Sequence, residues 1–200
     1  ERVQLEYQKA QAAQWVKKGI HVVLVGRPNA GKSSLFNYLL KDERAIVSDI
    51  PGTTRDYLEG RAELGDLPLV IFDTAGIRYE AEQIEQAGIL KIHKLLLEAD
   101  LILYLIPAQD RSPDPATEAL VQAFKAKVMR VSTMVDQGQP YLPTDCHISL
   151  HPITTEGLQQ ALHNRFLGRH RAQDLHTSFW GDRHLQLLLN ITEALRMLDS

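Results

Sequence analysis

The stretch Gly26-Arg-Pro-Asn-Ala-Gly-Lys-Ser-Ser34 fits the spacing G-x-x-x-x-G-K-S and directly follows the apolar run His21-Val-Val-Leu-Val25. A buried strand that ends in a glycine turn and opens a helix aims a row of backbone N–H groups at one point, and a phosphate suits that point. Both flanks are legible, since Ser34-Leu-Phe-Asn-Tyr-Leu-Leu40 reads as the helix. The glycines let the backbone curl around a β-phosphate, and Asn29, Ala30, Gly31 and Ser34 are candidate nucleotide-binding residues. Lys32 reaches β- and γ-phosphates, and the Ser33 hydroxyl is placed to hold Mg²⁺.

Two hundred residues with 44% apolar content suit one nucleotide-binding domain with modest appendages. The formal charge is −3, from 22 basic and 25 acidic residues, so nucleic acid would have to be met by a local patch. The basic run Arg165-Phe-Leu-Gly-Arg-His-Arg171 is the one candidate, and its plainer reading is a solvated surface. A single cysteine, Cys146, excludes an intramolecular disulfide and reads as a small buried residue in a strand. With no run apolar and long enough to span a bilayer, the expectation is a cytoplasmic chain without a membrane partner. It starts on Glu1 rather than methionine and reads as a piece of something longer.

Periodicity predicts strand 20–25, helix 32–40, a hairpin of strands 57–64 and 68–73 around Gly65-Asp66, and helix 82–98. Strand 101–106, helix 114–125, strand 127–133, strand 146–150 and helix 156–166 follow. This alternation specifies a doubly wound α/β fold: a mostly parallel sheet with one antiparallel strand, and a ligand at the strands' carboxyl ends. Residues 1–18 read as a polar, alanine- and glutamine-rich helix, and 182–198 place Leu185, Leu188, Ile191, Leu195 and Leu198 on one helical stripe. The expected division is a helix at 1–18, a nucleotide domain at 19–168 and a helical segment at 169–200. Trp15 and Val16 are the expected partners of the second stripe.

Asp73-Thr-Ala-Gly76 closes the strand Leu69-Val-Ile-Phe72. An aspartate there can hold Mg²⁺ through water, and Gly76 can offer its N–H to a γ-phosphate. Between the two motifs lies Ile50-Pro-Gly-Thr-Thr-Arg-Asp56, a hydroxyl-rich turn suited to a switch loop whose Thr54 is a candidate Mg²⁺ ligand and catalytic group. Singly, Asp73 could be a helix cap and Thr53 or Thr54 a turn residue. In this order, on these elements, they read as the switch parts of a GTPase.

The set GRPNAGKSSLFN, IPGTTRD and DTAGIR resembles the G domain of the bacterial tRNA-modification GTPase family MnmE, also called TrmE, over roughly residues 19–168. The flanks resemble that family's helical domain on either side of an inserted G domain. The ribosome-assembly GTPase Der shares much of GRPNAGKSSLFN, but Ala75 and the Gly-Thr-Thr-Arg-Asp loop fit the modification enzymes better. The resemblance implies a Ras-like P-loop GTPase fold, with GTP and GDP as ligands and Mg²⁺ and K⁺ as cofactors. It implies K⁺ held by Asn29 and the carbonyls of Ser48 and Ile50, and G domains that pair as a homodimer in the triphosphate state. In the longer protein it implies tRNA and the FAD-dependent protein MnmG as partners. Small GTPases carry a water-orienting glutamine where this chain has Ile77, so the family's glutamate, aligned here with Glu85, takes that role by resemblance.

Base recognition departs from the superfamily's Asn-Lys-x-Asp, because here the residues are Thr133-Met-Val-Asp136. Asp136 alone can accept from guanine N1–H and its exocyclic amine, which adenine does not present. The missing asparagine and lysine have no evident replacement, so weak nucleotide binding is expected. Ser149-Leu150 stands where the family has a Ser-Ala pair supporting the base. Besides a GTP hydrolase, two readings stay open: a slowly hydrolysing guanine-nucleotide sensor, and a ribosome-assembly GTPase of the Der type.

Overall fold

The structure is a computed structural model that describes residues 2–40, 58–74 and 85–168. Helix α1 spans Arg2–Lys18 and strand β1 Ile20–Val25, followed by α2 over Lys32–Leu40. The hairpin pairs β2 (Leu58–Leu64) with β3 (Leu67–Asp73), and α3 covers Glu85–Glu98. Then come β4 (Leu101–Pro107), α4 (Pro115–Val121), β5 (Val128–Thr133), β6 (Cys146–His147), β7 (Ser149–Leu150), β8 (Ile153–Thr154) and α5 (Glu156–Phe166).

Six strands form one sheet in the order β2-β3-β1-β4-β5-β6, parallel except for β2. The period-two alternation of β1 and β4 explains why helices cover both faces. Ile20, Val22, Leu24, Leu101, Leu103 and Leu105 face one apolar cluster, which α1, α2 and α5 cover. Val23, Val25, Ile102, Tyr104 and Ile106 face the other, which α3 and α4 cover. Strands buried on both sides must be largely apolar, as these are apart from the half-buried His21. The register sets Leu24 beside Asp73 and Pro107 beside Thr133, so the tips of β1, β3, β4 and β5 share one edge.

Two expected elements differ. The helix over 114–125 stops at Val121 and continues as a 3₁₀ turn over Gln122–Lys127, because Phe124 leaves helical geometry (φ −116°, ψ 22°) and packs against the second cluster. Asp114 caps α4 with its carboxylate, accepting from the Thr117 amide at 2.9 Å. The strand over 146–150 breaks at Ile148: β6 pairs with β5, whereas β7 folds back on β8 in a separate two-stranded sheet. Ser149 and Leu150 are drawn from the main sheet by hydrogen bonds to Asp136.

Helix α1 is polar overall but buries Ala10, Ala12, Ala13 and Val16. Its Trp15 ring meets Phe166 of α5 edge to face, with centroids 4.8 Å apart. The partner seen for Trp15 is therefore Phe166, while the stripe Leu185 to Leu198 lies outside the described residues. Arg165 donates to the carbonyls of Ala126 at 2.5 Å and Val128 at 3.3 Å, which makes it a brace between α5 and β5. Cys146 is buried, in strand β6, with a free thiol. Among the described residues no helix is long and apolar enough to cross a membrane.

Candidate nucleotide site

The loop from Gly26 to Gly31 leaves the tip of β1 at the sheet's carboxyl edge. Gly26 takes φ +151°, and a Cβ there would fall 2.6 Å from the Leu105 carbonyl oxygen, so only glycine lets the chain pass β4 this closely. The Ala30 amide donates to the Arg27 carbonyl at 3.2 Å, and Asn29 turns through φ +62° at an exposed apex. Gly31, at φ +93°, leads into α2, whose first-turn N–H groups point out of the helix towards the loop's concavity.

Lys32 is 7% exposed. Its Nζ donates to the carbonyls of Gly26 and Arg27, each at 2.9 Å, so the loop itself aims the ammonium back over the cradle. Ser33 Oγ donates to Asp73 Oδ2 at 2.9 Å, and Asp73 is fully buried at the tip of β3. A hydroxyl and a carboxylate in contact beside a phosphate cradle form the hard-oxygen donor set that Mg²⁺ takes, and so the residues fit that ion. Thr74 anchors this tip by donating to the Leu24 carbonyl at 2.8 Å.

At the far end of the edge, Asp136 Oδ1 accepts from the Ser149 hydroxyl and the Leu150 amide, both at 3.0 Å. The Leu150 amide holds this carboxyl below the usual aspartate range; desolvation opposes it and the Ser149 hydroxyl helps. Asp136 is thus an oriented, ionised acceptor. Ser149 and the Leu150 amide serve Asp136 directly.

Thr133, which stands at the position of the absent asparagine, is fully buried at the tip of β5 and donates its hydroxyl to the Ala30 carbonyl at 2.9 Å. That bond joins the base loop to the phosphate loop across 103 residues. Met134 takes the left-handed conformation, φ +59°, and packs its side chain on the core. Leu150 lies against Gly31, a contact that sequence reading missed.

The structure therefore brings Asn29, Ala30, Gly31, Lys32, Ser33, Ser34 and Asp73 to one end of the edge and Asp136 and Ser149 to the other. Glu85 is the first residue of α3. Ser48, Ile50, Thr54, Gly76 and Ile77 lie outside the described residues.

A doubly wound sheet with this phosphate loop, a Ser33–Asp73 pair and an oriented aspartate beyond β5 defines a P-loop GTPase. The chain belongs to the family described as 50S ribosome-binding GTPase, whose model matches residues 21–135. It is 41% identical over 193 residues to a tRNA modification GTPase MnmE of Thermus thermophilus, covering 94% of this chain and 42% of that protein. The MnmE of Treponema denticola is 46% identical over 123 residues, 60% of this chain and 26% of its own. The chain thus spans less than half the length of these curated relatives. The G domain of the T. maritima FeoB iron transporter shares the fold at TM-score 0.50 with 23% identity, over 74% of this chain and 96% of that one. The likeness to tRNA-modification GTPases expected from the motifs is present, and so is the GTP-hydrolysing domain.

Proposed function

We propose that this chain is the K⁺-stimulated G domain of a tRNA-modification GTPase of the MnmE kind. The likeness to the Thermus protein across 193 residues carries this reading, because it extends well beyond the motifs that all P-loop GTPases share. In the longer protein the domain pairs with a second copy in the triphosphate state and works with an MnmG-like FAD-dependent protein on tRNA, in the cytoplasm.

The proposed division of labour follows from where charge develops. Amides at Asn29–Ser34 and the ammonium of Lys32 bind and orient the β- and γ-phosphates. Ser33, Thr54 and Asp73 are the residues that would hold Mg²⁺, which when bound neutralises charge between the β- and γ-oxygens. Asn29 with the carbonyls of Ser48 and Ile50 would hold K⁺, which when bound would add positive charge to offset the negative charge of the transferring phosphate. Gly76 donates its N–H to the γ-phosphate. Glu85 orients the attacking water, a task Ile77 cannot perform. Asp136, held by Ser149, accepts from the guanine edge.

GTP turnover in K⁺ against Na⁺ tests the proposal. The expected result is a stimulation of about tenfold or more by K⁺, with turnover falling roughly 10²- to 10⁴-fold in Glu85→Ala while GDP affinity stays within about twofold. Equal, slow rates in both salts would favour the nucleotide-sensor reading instead. A loss under tenfold in Glu85→Ala would remove that residue from the mechanism.

A further inference from the structure

Arg27, inside the phosphate loop, does not aim its charge at the cradle. Its guanidinium forks onto Asp110, with Nε to Oδ2 at 2.7 Å and Nη2 to Oδ1 at 2.8 Å. Its Nη1 donates to the Pro28 carbonyl at 3.1 Å, beside the left-handed turn at Asn29. The aspartate is the better shielded partner, with 18% of its side chain exposed against 39% for the arginine. A bidentate fork of this kind fixes orientation as well as distance.

Asp110 belongs to a short loop just beyond β4 that also grips the base loop. The Ala108 amide donates to the Thr133 carbonyl at 2.8 Å, and the Tyr141 amide donates to the Ala108 carbonyl at 3.2 Å. Gln109 Nε2 donates to Gln137 Oε1 at 2.9 Å, next to Asp136 in sequence. Arg111 lies over the Tyr141 ring, 5.1 Å from its centroid. Four consecutive residues thus hold the phosphate loop by one side chain and the base loop at three points.

We propose that Ala108–Arg111 form a bracket that sets the phosphate loop and the guanine-reading loop in one register, with Asp110 as the positioning residue at its phosphate end. The proposal rests on the reading of this edge as a guanine-nucleotide site. A nucleotide spans both loops, so a fault in their relative placement costs contacts at one end whenever the other is seated. The bracket carries the more weight here because the base loop lacks the lysine stem of its superfamily. Asp110 touches no nucleotide in this scheme.

The test is equilibrium binding of GDP and of inosine diphosphate, which lacks the exocyclic amine, to the wild-type chain, Asp110→Ala and Asp110→Asn, with melting curves as a control for folding. Loss of Asp110 is expected to weaken GDP about five- to thirtyfold and to shrink the preference for GDP over inosine diphosphate. Exchanging the charges, Arg27→Asp with Asp110→Arg, is expected to recover part of both. A purely structural pair would lower melting temperature without changing the base preference, and that outcome would overturn the bracket, as would unchanged GDP affinity in both Asp110 variants. If Asp110→Ala does not fold, Asp110→Asn, which keeps the volume, carries the same two readouts. Failure of the wild-type chain to bind GDP would instead overturn the reading of the site itself.

Discussion

Leu150 sits so close to Gly31 that a methyl group on that glycine would fall 2.5 Å from the leucine Cδ1. The glycine also turns through φ +93°, a region L side chains avoid. Gly31→Ala is therefore expected to destabilise the fold by two separate routes, a dihedral penalty of about 1–3 kcal/mol and a smaller clash that the Leu150 side-chain tip can partly relieve by shifting. In Gly31→Ala with Leu150→Ala the clash is relieved and the dihedral penalty is not. Thermal melts of the four-member cycle should show the double variant less destabilised than the sum of the singles. Strict additivity would mean that the Leu150 contact is not felt.

Lys32 is held by two carbonyls, so its ammonium is pre-aimed before any nucleotide arrives. Two charge-assisted contacts to phosphate, at about 1.5–3 kcal/mol each, are lost in Lys32→Ala. GTP affinity should fall about a hundredfold or more by titration, with the backbone cradle intact. Unchanged affinity would refute the phosphate-loop assignment.

Neighbouring hydroxyls on β5 should respond in opposite senses. Thr133 satisfies the Ala30 carbonyl at 2.9 Å, whereas Ser132, 1% exposed on the other face, has an Oγ with no hydrogen-bond partner among the described residues. Thr133→Val should cost about 1–3 kcal/mol, the penalty for orphaning a buried acceptor, and Ser132→Ala should be neutral or slightly stabilising. Denaturant unfolding of the two variants measures both. Equal losses would show that the hydroxyls matter only as volume.

The Cys146 thiol is pushed up to about 11, first by burial and then by the Asp145 charge. Because the folded value lies above the ordinary 9.0, the neutral thiol's contribution to stability is complete below pH 9 and is lost as pH rises towards 11. At pH 8 a thiol reagent should label native protein far more slowly than urea-unfolded protein. Equal labelling rates would mean that the side chain is open to solvent.

The parts of this domain that sequence reveals are those whose partners are close along the chain. The phosphate loop follows from spacing within nine residues, and the sheet follows from apolar runs that period-two faces require. Thr133–Ala30 and Arg27–Asp110 join residues 103 and 83 positions apart, and no local pattern marks them. For that reason the departure from Asn-Lys-x-Asp shows only missing groups in sequence, while the link that Thr133 makes to the phosphate loop is visible only in space. The broken strand at Ile148 was equally hidden, since Asp136 competes with β5 for Ser149 and Leu150 from a distance.

The edge-to-face contact of Trp15 with Phe166 ties the helix that enters the domain to the one that closes it. Entry and exit therefore meet at one aromatic contact. Both helices lie on the same core face as α2, the helix that the phosphate loop opens, so the seam they form is continuous with the packing behind that loop.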